Sequence, residues 1–380
     1  MQYRNFGKLD WKVSALGFGC MRLPVTDGGR LSPNIIEEEA IRMIRHAIDS
    51  GVNYLDTAYP YHSGKSEIVL GKALLDGYRD KVKIATKLPV WSVESPADFD
   101  RILGEQLQKL LADHIDFYLM HSLNKSRWRD IVLKHNLLAK AAEAVADGRI
   151  RHLGFSMHDD YEGFEEIVNG SDQWEFCQIQ YNYMDIENQA GTRGLKLAAA
   201  KGLAVVIMEP LLGGRLADPP KDIVAAMDAH TPHRTPAEWA LQWLWDQPEV
   251  SVVLSGMTTM QQVEQNLATA DASRIASFTA ADYELIADVR QKYQARTVVP
   301  CTRCEYCMPC PNGVNIPGNF DYFNYAHLFD DVPGGKFKYS VFLTADERSG
   351  SCIECHECEE KCPQHIPISE WMPKVTALLA

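Results

Sequence analysis

The sequence predicts an α/β protein, a (β/α)8 barrel of the TIM type followed by a small, mainly helical C-terminal domain. Two observations carry the barrel and a third carries the tail. From residue 14 to about 270, short runs rich in β-branched and aromatic residues alternate with segments of helical periodicity, eight times over, which suits a parallel barrel. A doubly wound sheet is the alternative, but it usually carries G-x-G-x-x-G after its first strand, and "GFGCMRLP" lacks that pattern. Beyond about residue 295 the composition shifts to clustered cysteines, prolines and the aromatic stretch "NFDYFNYAHLF". These features divide the chain into domains 1–295 and 296–380.

The opening "YRNFGKLDWKVSAL" predicts a polar hairpin ahead of the first barrel strand. The eight candidate strands are "ALGFG", "VNYLDT", "VKIATK", "IDFYLMH", "IRHLGFS", "FCQIQY", "AVVIME" and "VSVVL". Between them, "NIIEEEAIRMIRHAIDS" puts Ile36, Ala40, Met43, Ile44 and Ala47 on one helical side, with acids in the first turn. "ADFDRILGEQLQKLLAD" and "TRGLKLAAAKG" have the same period, and "TPAEWALQWLWDQP" starts with a Thr cap and Pro at the first helical position. Residues 280–294 predict one more helix.

The chain has 380 residues, 46% of them hydrophobic, and a formal charge of −13. That length can bury one large core and a second small one. An acidic surface repels phosphate backbones and argues against a nucleic-acid partner. No apolar run approaches the roughly 20 residues that span a bilayer, and the N-terminus lacks a basic region followed by an apolar core. The expectation is a cytoplasmic protein without a membrane partner.

Barrel active sites lie at the C-terminal ends of the strands. Three consecutive predicted strands end on chemistry-bearing residues: Asp56 closes "VNYLDT", Lys87 closes "VKIATK" and His121 closes "IDFYLMH", with Tyr61 five residues beyond Asp56. Each alone has a plain structural explanation, as a cap, a strand-end lysine or a buried histidine. Together they describe a proton donor at a barrel mouth. A tyrosine has a pKa of about 10, and a neighbouring ammonium lowers it. An aspartate holds that ammonium in place, and a histidine donates to a carbonyl oxygen. General acid catalysis of this kind contributes on the order of 10²–10⁴-fold.

On these residues the sequence resembles the aldo-keto reductase superfamily. "GVNYLDTAYPYHSGKSE", "TKLP" and "DFYLMHSL" are similar to its Asp–Tyr, Lys and His segments, and the resemblance covers roughly residues 3–290. It implies a barrel that reduces the carbonyl of a small aldehyde or ketone with NAD(P)H. Tyr61 would be the proton donor, Lys87 and Asp56 its tuning pair, and His121 the group that orients the carbonyl. It also implies a cofactor site. "LGFSMHD" and "CQIQYN" would give Ser156 and Gln178 to the carboxamide. "VVIMEPLLGG" would lay Met208 on the nicotinamide, where many members have an aromatic. "LSGMTTMQQVEQNL" would hold the adenosine phosphate through Gly256, Thr258 and Gln262, with Asn266 at the adenine. With no Lys or Arg between 252 and 270, this segment predicts no strong preference for the 2′-phosphorylated cofactor. A degenerate cofactor site is the alternative.

Eight of the ten cysteines lie within residues 301–362; Cys20 and Cys177 stand alone in apolar stretches and read as small core residues. The second run, Cys352, Cys355, Cys358 and Cys362, is C-x2-C-x2-C-x3-C-P, the bacterial ferredoxin spacing. The first, Cys301, Cys304, Cys307 and Cys310, is C-x2-C-x2-C-x2-C-P, one residue short at the end. Each run is followed by Ile-Pro, so the tail is an internal repeat of about 50 residues. Clustering in one short region favours iron–sulfur clusters over disulfides, and zinc is the alternative metal. In two-cluster domains the fourth cysteine of one run serves the other cluster. That would group Cys301, Cys304, Cys307 and Cys362 on one [4Fe–4S] cluster and Cys352, Cys355, Cys358 and Cys310 on a second. The helix-like linker resembles helical dicluster ferredoxins, and the whole chain resembles a family of aldo-keto reductase-like oxidoreductases with such a tail.

Nicotinamide moves two electrons as hydride, whereas a cubane moves one. Three functions follow: a carbonyl reductase whose clusters scaffold or sense, a reductase fed single electrons by an electron-transfer protein, or a non-catalytic barrel that docks a redox partner. The intact Asp56–Tyr61–Lys87–His121 set argues against the last.

Overall fold

The computed structural model of the protein describes residues 1–27, 31–301, 307–362 and 364–380. A two-stranded antiparallel hairpin, β1 (Tyr3–Phe6) and β2 (Leu9–Ser14), comes first. Eight parallel strands then close a barrel in chain order: β3 (Leu16–Gly19), β4 (Tyr54–Asp56), β5 (Lys83–Leu88), β6 (Ile115–Leu123), β7 (Ile150–Met157), β8 (Phe176–Gln180), β9 (Ala204–Met208) and β10 (Val250–Gly256), the last pairing with β3. All eight predicted runs became strands.

The hairpin is less polar than its sequence suggests. The residues of β1 alternate exposed and buried, and Phe6 and Val13 are wholly buried. Phe6 lies 4.6 Å from the ring of Phe117 and 5.8 Å from those of Tyr54 and Phe176, so one hairpin side chain plugs the inner layer formed by the strands. At Gly7, in the hairpin turn, a Cβ would stand 2.5 Å from the Ala204 backbone nitrogen, so the turn needs a residue without a side chain. Burial of this aromatic layer closes the N-terminal end and leaves the other end for chemistry.

The helices follow the predicted periods. Glu37–Asp49 buries Ala40, Met43, Ile44 and Ala47, but Ile36 caps the helix and stays 41% exposed. Pro236–Asp246 begins with a complete capping box, Thr235 accepting from the Glu238 amide at 3.2 Å. No helix among the described residues is long and apolar enough to cross a membrane.

The chain forms two compact units, residues 1–217 with 234–278, and residues 218–233 with 279–380. The second unit has helices Lys221–Asp228, Ala280–Gln294, Ile316–Leu328, Val332–Phe342 and Ile368–Leu379. Helix 280–294, which the composition shift assigns to the end of the first domain, packs against Lys221–Asp228 in this second unit. Asn315 and Asp331 cap two of its helices on the amides of Gly318 and Gly334, each with Pro in the first turn.

Candidate active site

At the C-terminal end of the barrel a cavity of about 430 Å³ opens, lined by Asp56, Tyr61, Lys87 and His121 together with Ser156, Gln178, Met208, Gly256, Thr258 and Gln262. All four residues of the expected proton-transfer set, and six of the seven expected cofactor contacts, share one wall. Asn266 is the exception. It is buried behind the wall and donates to Ser255 Oγ at 3.0 Å, so it supports a lining residue without being one.

Asp56 ends β4, and Lys87 is the penultimate residue of β5. The Lys87 ammonium donates to Asp56 Oδ1 at 2.6 Å and to the Thr57 carbonyl at 2.7 Å. Burial pulls its pKa down, but Asp56 and Tyr61 outweigh that pull and hold it above the ordinary lysine value. Lys87 is therefore charged although its side chain is buried. Its backbone is fixed from behind: Gln106 donates to the Lys87 carbonyl at 3.0 Å and to Glu67 Oε1 at 2.8 Å, and Thr86 donates to the same carboxylate at 2.7 Å. Tyr118 completes this buried network by donating to Gln106 Oε1 at 2.7 Å.

Tyr61 opens a tight turn, Tyr61–Gly64, in which His62, Ser63 and Gly64 all have positive φ. The turn is held by the "GKSE" segment beyond it, where Ser66 donates to the Cys20 carbonyl at 2.8 Å and pairs with Thr57 Oγ1 at 2.9 Å. The Lys87 ammonium lies 5.0 Å from the centre of the Tyr61 ring. Here the sequence-based sign is corrected. Burial raises the Tyr61 pKa, and the opposing pull of Lys87 does not overcome it, so the hydroxyl keeps its proton above the ordinary tyrosine value.

His121 does not end its strand; β6 continues to Leu123 after a register shift, with Ser122 at φ 54°. The bulge turns the imidazole into the cavity, 6.1 Å from the Tyr61 ring and 4.9 Å from that of Trp91. Its buried Nδ1 has no hydrogen-bond partner within the protein. Burial, reinforced by the positive charges of Lys87, His158 and Arg127, drives its pKa well below the usual histidine value. The unfolded chain takes up a proton near pH 6.5 that the folded chain refuses, so this group lowers stability as pH falls below about 6.5. Urea melts of wild type and His121→Asn at pH 5 and pH 8 should therefore converge or cross on acidification. A difference between them that does not change with pH would contradict this reading.

The residues present fit a nicotinamide. Gln178 Oε1 is buried without a hydrogen-bond partner, ready for a carboxamide N–H, while its amide nitrogen meets Met208 Sδ at 3.7 Å. Ser156 Oγ accepts from the Ser122 amide at 2.8 Å, which leaves its hydroxyl proton to donate. Thr258 and Gln262 are tied to each other at 2.8 Å at the start of helix Met260–Asp271. Two further wall residues, Arg22 and Trp91, come from connecting segments that sequence periodicity does not align with the mouth, while Glu209 closes the run "AVVIME" and its strand-end position marks it. Trp91 is four residues beyond Lys87, a spacing visible in "TKLPVW" once the strand end is known.

In the second unit, Cys310, Cys352, Cys355 and Cys358 line one small cavity, the grouping expected for the second cluster. Cys301, Cys307 and Cys362 pack on the same core, built around Val299, Phe320 and Met372. Cys304 lies outside the described residues. The Cys358 thiol is pushed up to about 11, by burial first, with Glu359, Cys307 and Cys352 acting in the same direction. One helix steadies both approaches. Asn324 accepts from the Val298 and Val299 amides at 3.1 and 2.8 Å, ahead of the first run. Asn319 accepts from the Ser349 amide at 2.7 Å and donates to the Glu347 carbonyl at 2.8 Å, ahead of the second. A cubane cluster takes four cysteine ligands, the number that lines this cavity.

Residues 15–289 match the model of the aldo/keto reductase family. The chain belongs to that family. Residues 300–366 match a 4Fe-4S dicluster domain, so the barrel is followed by a C-terminal domain of that type. The probable aldo-keto reductase 1 of Glycine max is 26% identical over 303 residues, which cover 69% of this chain and 82% of that one. Among solved structures, an aldo-keto reductase of Bacillus halodurans in its holo form aligns with a TM-score of 0.63 at 26% identity, over 76% of this chain and 96% of its own. An aldo-keto reductase of Klebsiella pneumoniae in complex with NADPH aligns with a TM-score of 0.61 at 25% identity, over the same shares of the two chains.

Proposed function

We propose that the barrel reduces the carbonyl of a small aldehyde or ketone with NADH or NADPH, and that the tail carries two [4Fe–4S] clusters. The convergence of Asp56, Tyr61, Lys87 and His121 on one cavity beside the unpartnered Gln178 oxygen is the observation that carries it. A bound reduced nicotinamide supplies hydride. Tyr61 gives its proton to the carbonyl oxygen, and the Lys87 ammonium, kept charged by Asp56, stabilises the phenolate that remains. Neutral His121 donates an N–H to the same oxygen, and Trp91 closes the wall beside it. Met208, which lines the cavity beside Gln178, would offer its thioether to the nicotinamide ring. The domain division at 295/296 belongs to this proposal, with the iron–sulfur module as the later part.

A second reading, single-electron feeding of the barrel by a redox protein, is favoured by exposure at the second cluster site, where Cys355 is exposed and Ile353 is 63% exposed. Anaerobic purification tests what the two share, and a cysteine variant distinguishes them. Both readings require iron, sulfide and a reducible paramagnetic signal; stoichiometric zinc in their place would remove both. Cys310→Ala should lose about half of the iron, because it opens one of two clusters. Retention of NAD(P)H-driven aldehyde reduction by that variant supports the first reading, and its loss with the barrel still folded supports the second.

A further inference from the structure

Trp91, His121, Ser122 and His158, from the ends of β5, β6 and β7, form one arc of the cavity wall, and no acid stands among them. The acids of the described wall lie elsewhere: Asp56 is paired with Lys87, and Glu209 comes from the end of β9, three strands around from β6. Asp159 and Asp160, which follow His158, are turned onto the amides of Lys125 and Gly163 and the Lys125 ammonium. Arg127 stands against this arc. Its Nη1 donates to the Ser122 carbonyl at 2.6 Å and to Ser122 Oγ at 2.9 Å, and its Cζ lies 5.0 Å from the centre of the Trp91 ring. One nitrogen therefore clamps the bulge at Ser122, while Nε and Nη2 make no hydrogen bond or ion pair among the described residues. Ser122 Oγ accepts from Arg127, which leaves its own proton to donate. The basic residues two positions either side differ, since Lys125 pairs with Asp160 and Arg129 with Glu166. Burial alone acts on the Arg127 pKa, pulling it down, and no acid opposes it. A part-buried guanidinium without a counterion leaves a position open for an anion.

Resting on the carbonyl-reductase reading, we propose that the substrate is a short aldehyde that ends in a carboxylate, held by the Arg127 guanidinium and the Ser122 hydroxyl while its carbonyl lies between Tyr61 and His121. The spacing suits such a molecule. The His121 imidazole is 4.9 Å from the Trp91 ring, and the Arg127 guanidinium is 5.0 Å from the same ring. Arg127 is thus within about 10 Å of His121, and a hydrogen bond of about 2.9 Å at each end leaves a span of a few carbons. The Trp91 indole, 43% exposed, offers that span an apolar face. The free Nε–Nη2 edge of Arg127 matches both carboxylate oxygens with two parallel N–H donors. Lys87, the deeper cation, is already engaged by Asp56, so the carboxylate is drawn to Arg127 and the aldehyde is left for Tyr61.

Steady-state reduction of succinic semialdehyde, its methyl ester and butanal by wild type, Arg127→Met and Arg127→Lys, with NADH and with NADPH, tests this. The readout is the ratio of kcat/KM for the acid to that for the ester, which cancels any change in the chemical step common to both. Wild type is expected to favour the acid by about tenfold to a hundredfold, the worth of one charge-assisted pair, and to do so through KM. Arg127→Met should bring the ratio close to unity. Arg127→Lys should keep part of the preference, because an ammonium supplies the charge without the fork. Melting midpoints of the variants near wild type exclude misfolding as the cause. A wild type that treats acid and ester alike would overturn the proposal, and so would a preference for the acid that survives Arg127→Met. If wild type reduces none of the three aldehydes, the carbonyl-reductase reading has failed and this assignment falls with it; reduction of all three at similar kcat/KM defeats the carboxylate assignment alone.

Discussion

Tyr61→Phe is expected to lower kcat for aldehyde reduction by about 10²–10⁴-fold, the usual contribution of a positioned general acid, with nucleotide affinity close to wild type. The substitution removes one oxygen from a ring whose position is set by the turn at 61–64 and by the ammonium beside its face. The wall of the cavity keeps its shape, so the loss reads as missing proton transfer. The pH dependence has a definite sign. Reduction needs the protonated phenol, and burial holds Tyr61 above the ordinary tyrosine value of about 10 against the pull of Lys87. The wild-type rate should therefore be flat through neutrality and fall only at strongly alkaline pH, and Tyr61→Phe should lack that alkaline limb. Single-turnover rates from pH 6 to beyond pH 11 check both points. A variant within about twofold of wild type would remove Tyr61 from the chemistry.

Much of this was legible in the sequence. The eight strands stood out because each is a short apolar run buried on both faces, and a polar residue closing such a run must face the barrel mouth. That logic found Asp56 and Lys87 by position alone, and found His121 although a bulge carries β6 past it. What the sequence hid depended on distance through space. The Glu67–Gln106 pair that fixes Lys87 lies 39 residues apart in the chain, and neither residue has a pattern that names its partner. The absence of basic residues between 252 and 270 spoke only to the 2′-phosphate, and nothing local shows that the stem of Arg22, in the loop after β3, lies over Gly256. Tyr61 shows the same limit in energetic form. Its neighbour's charge can be read from the sequence, but its burial cannot, and burial sets the sign. In the tail, spacing alone grouped Cys310 with the second run despite its short final interval, and the structure brings those four cysteines around one cavity.

Lys87→Met should destabilise the barrel by about 3–5 kcal/mol at neutral pH, the cost of stranding a buried partner charge. Asp56 is almost wholly buried, its Oδ2 has no hydrogen-bond partner, and Oδ1 depends on the Lys87 ammonium at 2.6 Å. Burial already pushes the Asp56 pKa up, with Lys87 as the opposing force. Without the lysine that upward shift grows, and the folded variant then binds a proton more readily than its unfolded chain. Stability of Lys87→Met should rise as pH falls through the raised Asp56 value, opposite to the trend expected from His121. Adding Asp56→Asn should restore most of the loss at pH 8 and little at pH 5, because protonation has already neutralised the carboxylate there. Urea melts of wild type, both single variants and the double variant at the two pH values measure the coupling directly. If Asp56→Asn fails to rescue Lys87→Met at pH 8, the lysine matters through its packed stem, and the ion pair is not what holds this end of the barrel together.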